Sequence, residues 1–134
     1  ECFGLSVAIA VFGVAFGGAS DAASANWKPV AQDAAEHMTL YVDEGSAERK
    51  GDVITFWEQF RFSPPRTELP GDLPVKWVTI RAQYDCKEHR YREQHAFYFF
   101  DNGTVKGVDM SGSKFEYVTF PSIQSELALY VCRF

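Results

Sequence analysis

The chain has 134 residues, enough for one domain with a single modest core, and a second domain is not expected. Thirteen basic against eighteen acidic residues give a formal charge of -5, which argues against the basic stripe that a sequence-independent nucleic-acid binder uses to displace counterions. Aromatic residues make up 16% and cluster in short alternating segments, as a packed sheet requires and an all-helical fold does not.

Residues 3–16 form an apolar run without a charge, followed by small residues that end in Ala23-Ser24-Ala25. This A-x-A pattern is of the kind a signal peptidase cleaves, which would make Asn26 the first mature residue. No basic residue precedes the run, so residues 1–25 read either as a signal peptide or as a retained N-terminal membrane anchor. Residues 26–134 form the domain.

Trp27 to Asp33 reads as a first strand with an edge position or a strand start at Pro29, whose nitrogen cannot join a ladder. Met38 to Asp43 reads as a second strand. Glu44 to Gly51 is polar and turn-like, with room for one helical turn. In the third strand, Asp52 to Phe62, the residues Ile54, Phe56, Phe60 and Phe62 share a face that only Glu58 interrupts, while Trp57 and Gln59 fall on the other. Ser63 to Pro74 carries four prolines and reads as a stiff loop of about a dozen residues.

Val75–Cys86 and Arg90–Phe100 then read as the two arms of a hairpin. Val78, Ile80, Ala82 and Tyr84 form its core side, which leaves Trp77 and Arg81 on the opposite side. Asp101-Asn102-Gly103 supplies the positive φ of a tight turn into a further strand, Thr104 to Met110. Lys114 to Phe120 reads as another extended piece. Ser122 can cap a terminal helix in which Ile123, Leu127, Tyr130 and Val131 recur at helical spacing. The expected fold class is α+β, an antiparallel sheet of about six strands with a C-terminal helix packed on it.

Of three cysteines, Cys2 lies in the apolar run, while Cys86 at the hairpin bend and Cys132 at the end of the helix lie in the domain. A lone, widely separated pair in an exported chain fits a disulfide better than a metal site, and two free buried thiols are the alternative. His37, His89 and His95 share no metal-ligand spacing, and no cofactor is implied. Ser111-Gly112-Ser113 lacks the frame of a nucleophile elbow. Asp85, Glu88 and Glu93 beside Arg90 and Arg92 read as surface ion pairs, and no catalytic set emerges.

The chain resembles the surface-adhesin protein E family of bacterial exported proteins. The resemblance rests on Leu40-Tyr41-Val42-Asp43, Gly51-Asp52-Val53 with the Trp57 strand, Tyr84-Asp85-Cys86 with Arg90-Tyr91-Arg92, Phe120-Pro121-Ser122 and Tyr130-Val131-Cys132. It implies an exported α+β domain with a disulfide, on Cys86 and Cys132, and a structural role for Arg92 toward neighbouring loops; with no catalytic set in the residues, a non-enzymatic protein is expected. The resemblance further implies adhesion to another protein, such as a host surface protein; the apolar run before Asn26 gives the alternative, an anchored accessory subunit whose partners are subunits of a membrane complex. The resemblance implies an exported location, periplasmic or at the outer surface, and the apolar run adds the alternative of a chain held to the membrane by residues 3–16. Trp57, Trp77 and Arg81 are the candidate binding surface, because Trp and Arg are favoured interface anchors.

Overall fold

A computed structural model describes residues 25–69 and 73–134. The expected signal peptide or anchor lies almost wholly in residues 1–24, outside the described residues, and among those described no helix is long and apolar enough to cross a membrane. The chain folds as an antiparallel meander of β1 (Trp27–Asp33), β2 (Met38–Lys50), β3 (Val53–Arg66), β4 (Val75–Asp85), β5 (Arg90–Phe100) and β6 (Val105–Asp109). A two-residue β7 (Glu116–Tyr117) pairs with β5, and α1 (Ile123–Val131) ends the domain. From β1 to β6 each strand pairs with its neighbour in sequence, which sets the order along the sheet.

Alternation decides the two faces. Leu40, Val42, Ile54, Phe56, Ile80, Ala82 and Tyr84 are buried on one face and pack with Leu127, Ala128 and Val131 of α1. Burying a side chain of this size contributes about 1.5–3 kcal/mol, so this face with its helix is the main source of stability. Met110 and Val118, from the segment after β6, add to the same core.

Two stretches depart from the sequence expectation. Glu44 to Lys50 is not a turn, because β2 continues through it across a bulge between Asp43 and Glu48. Ser46 makes this possible: its Oγ accepts from Trp57 N–H at 2.9 Å and donates to the Asp43 carbonyl at 2.7 Å, substituting for ladder bonds that the bulge removes. The turn comes later, at Gly51, whose φ of 62° suits glycine. Likewise β3 runs on through Pro64 and Pro65 to Arg66, which pairs with Val75. Its pairing with β2 ends at Phe62, so the prolines fall where no ladder hydrogen bond is due from their nitrogens.

The hairpin turn at Asn102-Gly103 is as expected, with Gly103 at φ 90° and Asn102 Oδ1 accepting from Thr104 N–H at 3.0 Å. At the start of α1 the Ser125 N–H donates to Ser122 Oγ at 3.1 Å while the Ser122 N–H donates to Ser125 Oγ at 2.8 Å, a reciprocal cap. Ser122→Ala removes one half of it and is expected to cost about 1 kcal/mol in urea unfolding, with Ser122→Asn restoring most of the loss.

Cys86 and Cys132 form a disulfide, which ties the end of α1 to the β4–β5 turn. Arg49 reinforces it, donating from Nη2 to the Cys132 carbonyl at 2.9 Å and from Nε to the Phe134 carbonyl at 2.6 Å. The role expected of Arg92 is also seen: its guanidinium donates to Gln83 Oε1 at 2.8 Å, reaches the Ser113 carbonyl at 3.5 Å and stacks on Phe115.

Candidate functional surface

The face of the sheet turned away from α1 carries the three candidate residues. Cross-strand register sets its rows: Trp57 lies opposite Arg81, which lies opposite His95; Arg61 lies opposite Trp77, which lies opposite Phe99. Between these rows run Tyr41, Gln59, Thr79, Phe97 and Gly107. Trp57, Trp77 and Arg81 therefore share one surface. Arg81 is exposed, whereas both tryptophans are half-buried by their neighbours on this same face.

Aromatic packing accounts for that burial. The Trp57 ring stacks with Phe97 at a centroid distance of 6.1 Å, and Phe97 in turn contacts His95 at 4.5 Å. Trp77 and Phe99 lie 5.4 Å apart. Gly107 supplies the space, since a Cβ there would stand 3.1 Å from the Phe97 ring. Polar groups fill the gaps: Gln59 Nε2 donates to Thr79 Oγ1 at 2.9 Å, and Arg61 Nε donates to Gln59 Oε1 at 2.5 Å. The Arg61 guanidinium rests 3.8 Å above the Tyr41 ring, and the Lys76 amine lies 5.0 Å from that of Trp77. The result is a preordered surface of aromatic planes and cations.

The core face holds a second cluster that the sequence showed only as an interruption. Glu58 is fully buried, and the Tyr91 hydroxyl donates to its Oε2 while also lying 3.3 Å from Glu93 Oε2. Burial pushes the Glu58 carboxyl up to about 8, and burial raises Glu93 as well. One hydroxyl proton cannot serve two carboxyl groups at once, and Glu58 Oε1 is buried without a hydrogen-bond partner among the described residues, so burial favours the neutral, protonated form of Glu58. With no exposed surface, Glu58 is closed to any substrate. Asp85, expected in a surface ion pair, is instead almost buried; the Glu88 N–H and then Arg90 hold its carboxyl below the usual carboxylate range.

The sequence profile of the surface-adhesin protein E family matches residues 27–133, nearly the whole of the described domain. The chain belongs to that family. Comparison with curated proteins and with solved structures found no match. Membership in the family supports an adhesin-like surface protein, and the Cys86–Cys132 disulfide is consistent with it.

Sequence reasoning assigned the face of Trp57, Trp77 and Arg81 but not their companions. Tyr41, Arg61, Phe97 and Phe99 join them only once the cross-strand register is known, and alternation within β5 is obscured because its other face is also aromatic.

Proposed function

We propose that the protein is a non-enzymatic, exported binding module that adheres to another protein through the open face of its sheet, with Trp57, Trp77 and Arg81 at the centre. The observation that carries this reading is the aromatic layer itself: among the described residues α1 and the core lie on the other side, so two tryptophans and two phenylalanines pack against each other under solvent. Such side chains lose little conformational entropy on contact with a partner. The adhesin family gives the direction, namely another protein at a cell surface. The reading of the chain as an anchored subunit of a membrane complex rests on residues 3–16, outside the described residues.

Trp77→Ala and Arg81→Ala are each expected to weaken attachment by about 1 kcal/mol or more while leaving a cooperative unfolding transition. Flow cytometry of labelled protein on intact animal cells measures the first and urea unfolding the second. Attachment by both variants at the wild-type level would remove this face from consideration.

A further inference from the structure

The charges on the open face do not follow those of the chain. Eighteen acidic residues give the protein its excess negative charge, yet the aromatic layer is fringed by Arg61, Lys76 and Arg81. None of these three forms an ion pair among the described residues, where the ion pairs engage Arg66 and Arg90 instead. Among the described residues Arg81 donates only to a neutral side chain, Gln94, at 3.2 Å, and Arg61 only to Gln59.

Among the described residues four carboxylates lie on the same face by register: Asp85 is paired with Arg90 at 2.9 Å, Glu48 is exposed opposite Thr55, and backbone donors engage Asp43 and Asp109. Asp43 Oδ1 accepts from Asn26 N–H at 2.9 Å and Gly45 N–H at 3.1 Å; Asp109 Oδ1 accepts from Ser111 N–H at 3.0 Å. Asp43 and Asp109 stand at the two ends of the row that contains Trp57, Arg81 and His95, and Glu48 lies one row beyond it, so among the described residues no carboxylate shares the Gln59 row or the Arg61 row.

Next to Arg61 the face is not flat. A groove of about 390 Å³ opens beside the β1–β2 turn, with Arg61, Tyr41, Thr39, His37 and Phe62 among its walls. Asp33 also lines it, with its Oδ1 taken by the Glu36 N–H at 3.1 Å. A guanidinium that lines a groove and is held by stacking and one hydrogen bond from its Nε is preorganised for a carboxylate contact.

We propose, building on the binding reading above, that the partner presents an extended acidic segment to this face, with one carboxylate entering the groove to meet Arg61 and a second meeting Arg81. The spacing fits such a segment. Arg61 and Arg81 lie two rows apart, and rows on one face of a sheet repeat about every 6.7 Å, so the two cations are separated by roughly 13 Å along the strand direction. On an extended chain that is the distance between same-side residues at i and i+4. Gln59 and Thr79 occupy the row between them, and Trp57 and Trp77, each opposite one of the arginines, would seat the intervening side chains.

Three labelled 12-residue peptides test this, alternating Thr with Glu, with Gln or with Lys, their binding to the domain followed by fluorescence anisotropy at low and physiological salt. The Glu peptide is expected to bind, with affinity that falls as salt rises and drops about five- to tenfold in Arg61→Gln and in Arg81→Gln. The Gln and Lys peptides should bind at least tenfold more weakly. Equal binding of all three, no binding of any, or tighter and arginine-dependent capture of a heparin fragment would overturn the acidic-segment proposal. The broader reading is judged separately, by cell attachment of Trp77→Ala: if that variant attaches poorly while the peptides fail, the face binds a partner of other chemistry. Attachment unchanged in both Trp77→Ala and Arg81→Ala would overturn the broader reading too.

Discussion

Cys132→Ser, or reduction of the Cys86–Cys132 disulfide, is expected to lower stability by about 4 kcal/mol and the melting temperature by on the order of 15–25 °C. The magnitude follows from the loop that the bond closes: the cysteines are 46 residues apart, and releasing that constraint returns chain entropy to the unfolded state. A loss of this size approaches the whole net stability of many domains of this length. The first structure to loosen should be α1, because its other ties are few. They consist of Leu127, Ala128 and Val131 in the core with Ile123 and Tyr130 packed against it, the Arg49 bonds to the last carbonyls and the Tyr130 hydroxyl on Glu44. Hydrogen exchange should show protection falling at Leu127 to Val131 before it falls in β3 and β4. Thiol labelling of unfolded, unreduced protein should find neither Cys86 nor Cys132 free. Two labelled thiols there, or a variant as stable as the wild type, would contradict this account.

What the sequence disclosed, it disclosed by periodicity. Strict alternation in Ile54 to Phe60 and in Val78 to Tyr84 identified the core face residue by residue, because a one-residue slip would send every apolar side chain to solvent. Asn102-Gly103 and Ser122 were legible for a different reason: each is a local device whose chemistry needs no tertiary partner. The misreadings arose where a side chain far away in the chain alters a local rule. Gly45-Ser46 reads as a turn until Ser46 Oγ is seen to hold Trp57 N–H, and the Pro64-Pro65 pair reads as a loop until β2 is seen to end beside Phe62. The candidate face was legible in the same partial way. Alternation put Trp77 and Arg81 on it, but the layer that makes it a surface needs Phe97, Phe99 and Arg61 from the neighbouring strands, and only the register brings those together.

Glu58 is expected to make the stability of the domain fall as pH rises from about 4.5 to about 8. The folded protein holds this carboxyl's proton up to about 8 because burial penalises the charged form, whereas the unfolded chain releases it near the ordinary 4.5. Below 4.5 both states are protonated and the group contributes no difference. Between the two values the folded state binds the extra proton, so each unit of rising pH removes up to about 1.4 kcal/mol, until both states are ionised above 8. The raised carboxyl of Glu93 acts in the same direction. Asp85 and Asp109 act in the opposite direction but in another window: both are held below the usual carboxylate range, so their contributions are lost only as acid protonates them, below about 4. Glu58→Gln keeps the size and polarity of the side chain, leaves Tyr91 a partner and cannot ionise. It should therefore match the wild type within about 1 kcal/mol at pH 5 and exceed it by about 3 kcal/mol at pH 8. Urea unfolding at half-unit steps from pH 4.5 to 8.5 gives both slopes. Parallel slopes in the two proteins would mean that Glu58 is already ionised in the fold, and the proton would have to be assigned to Glu93 instead.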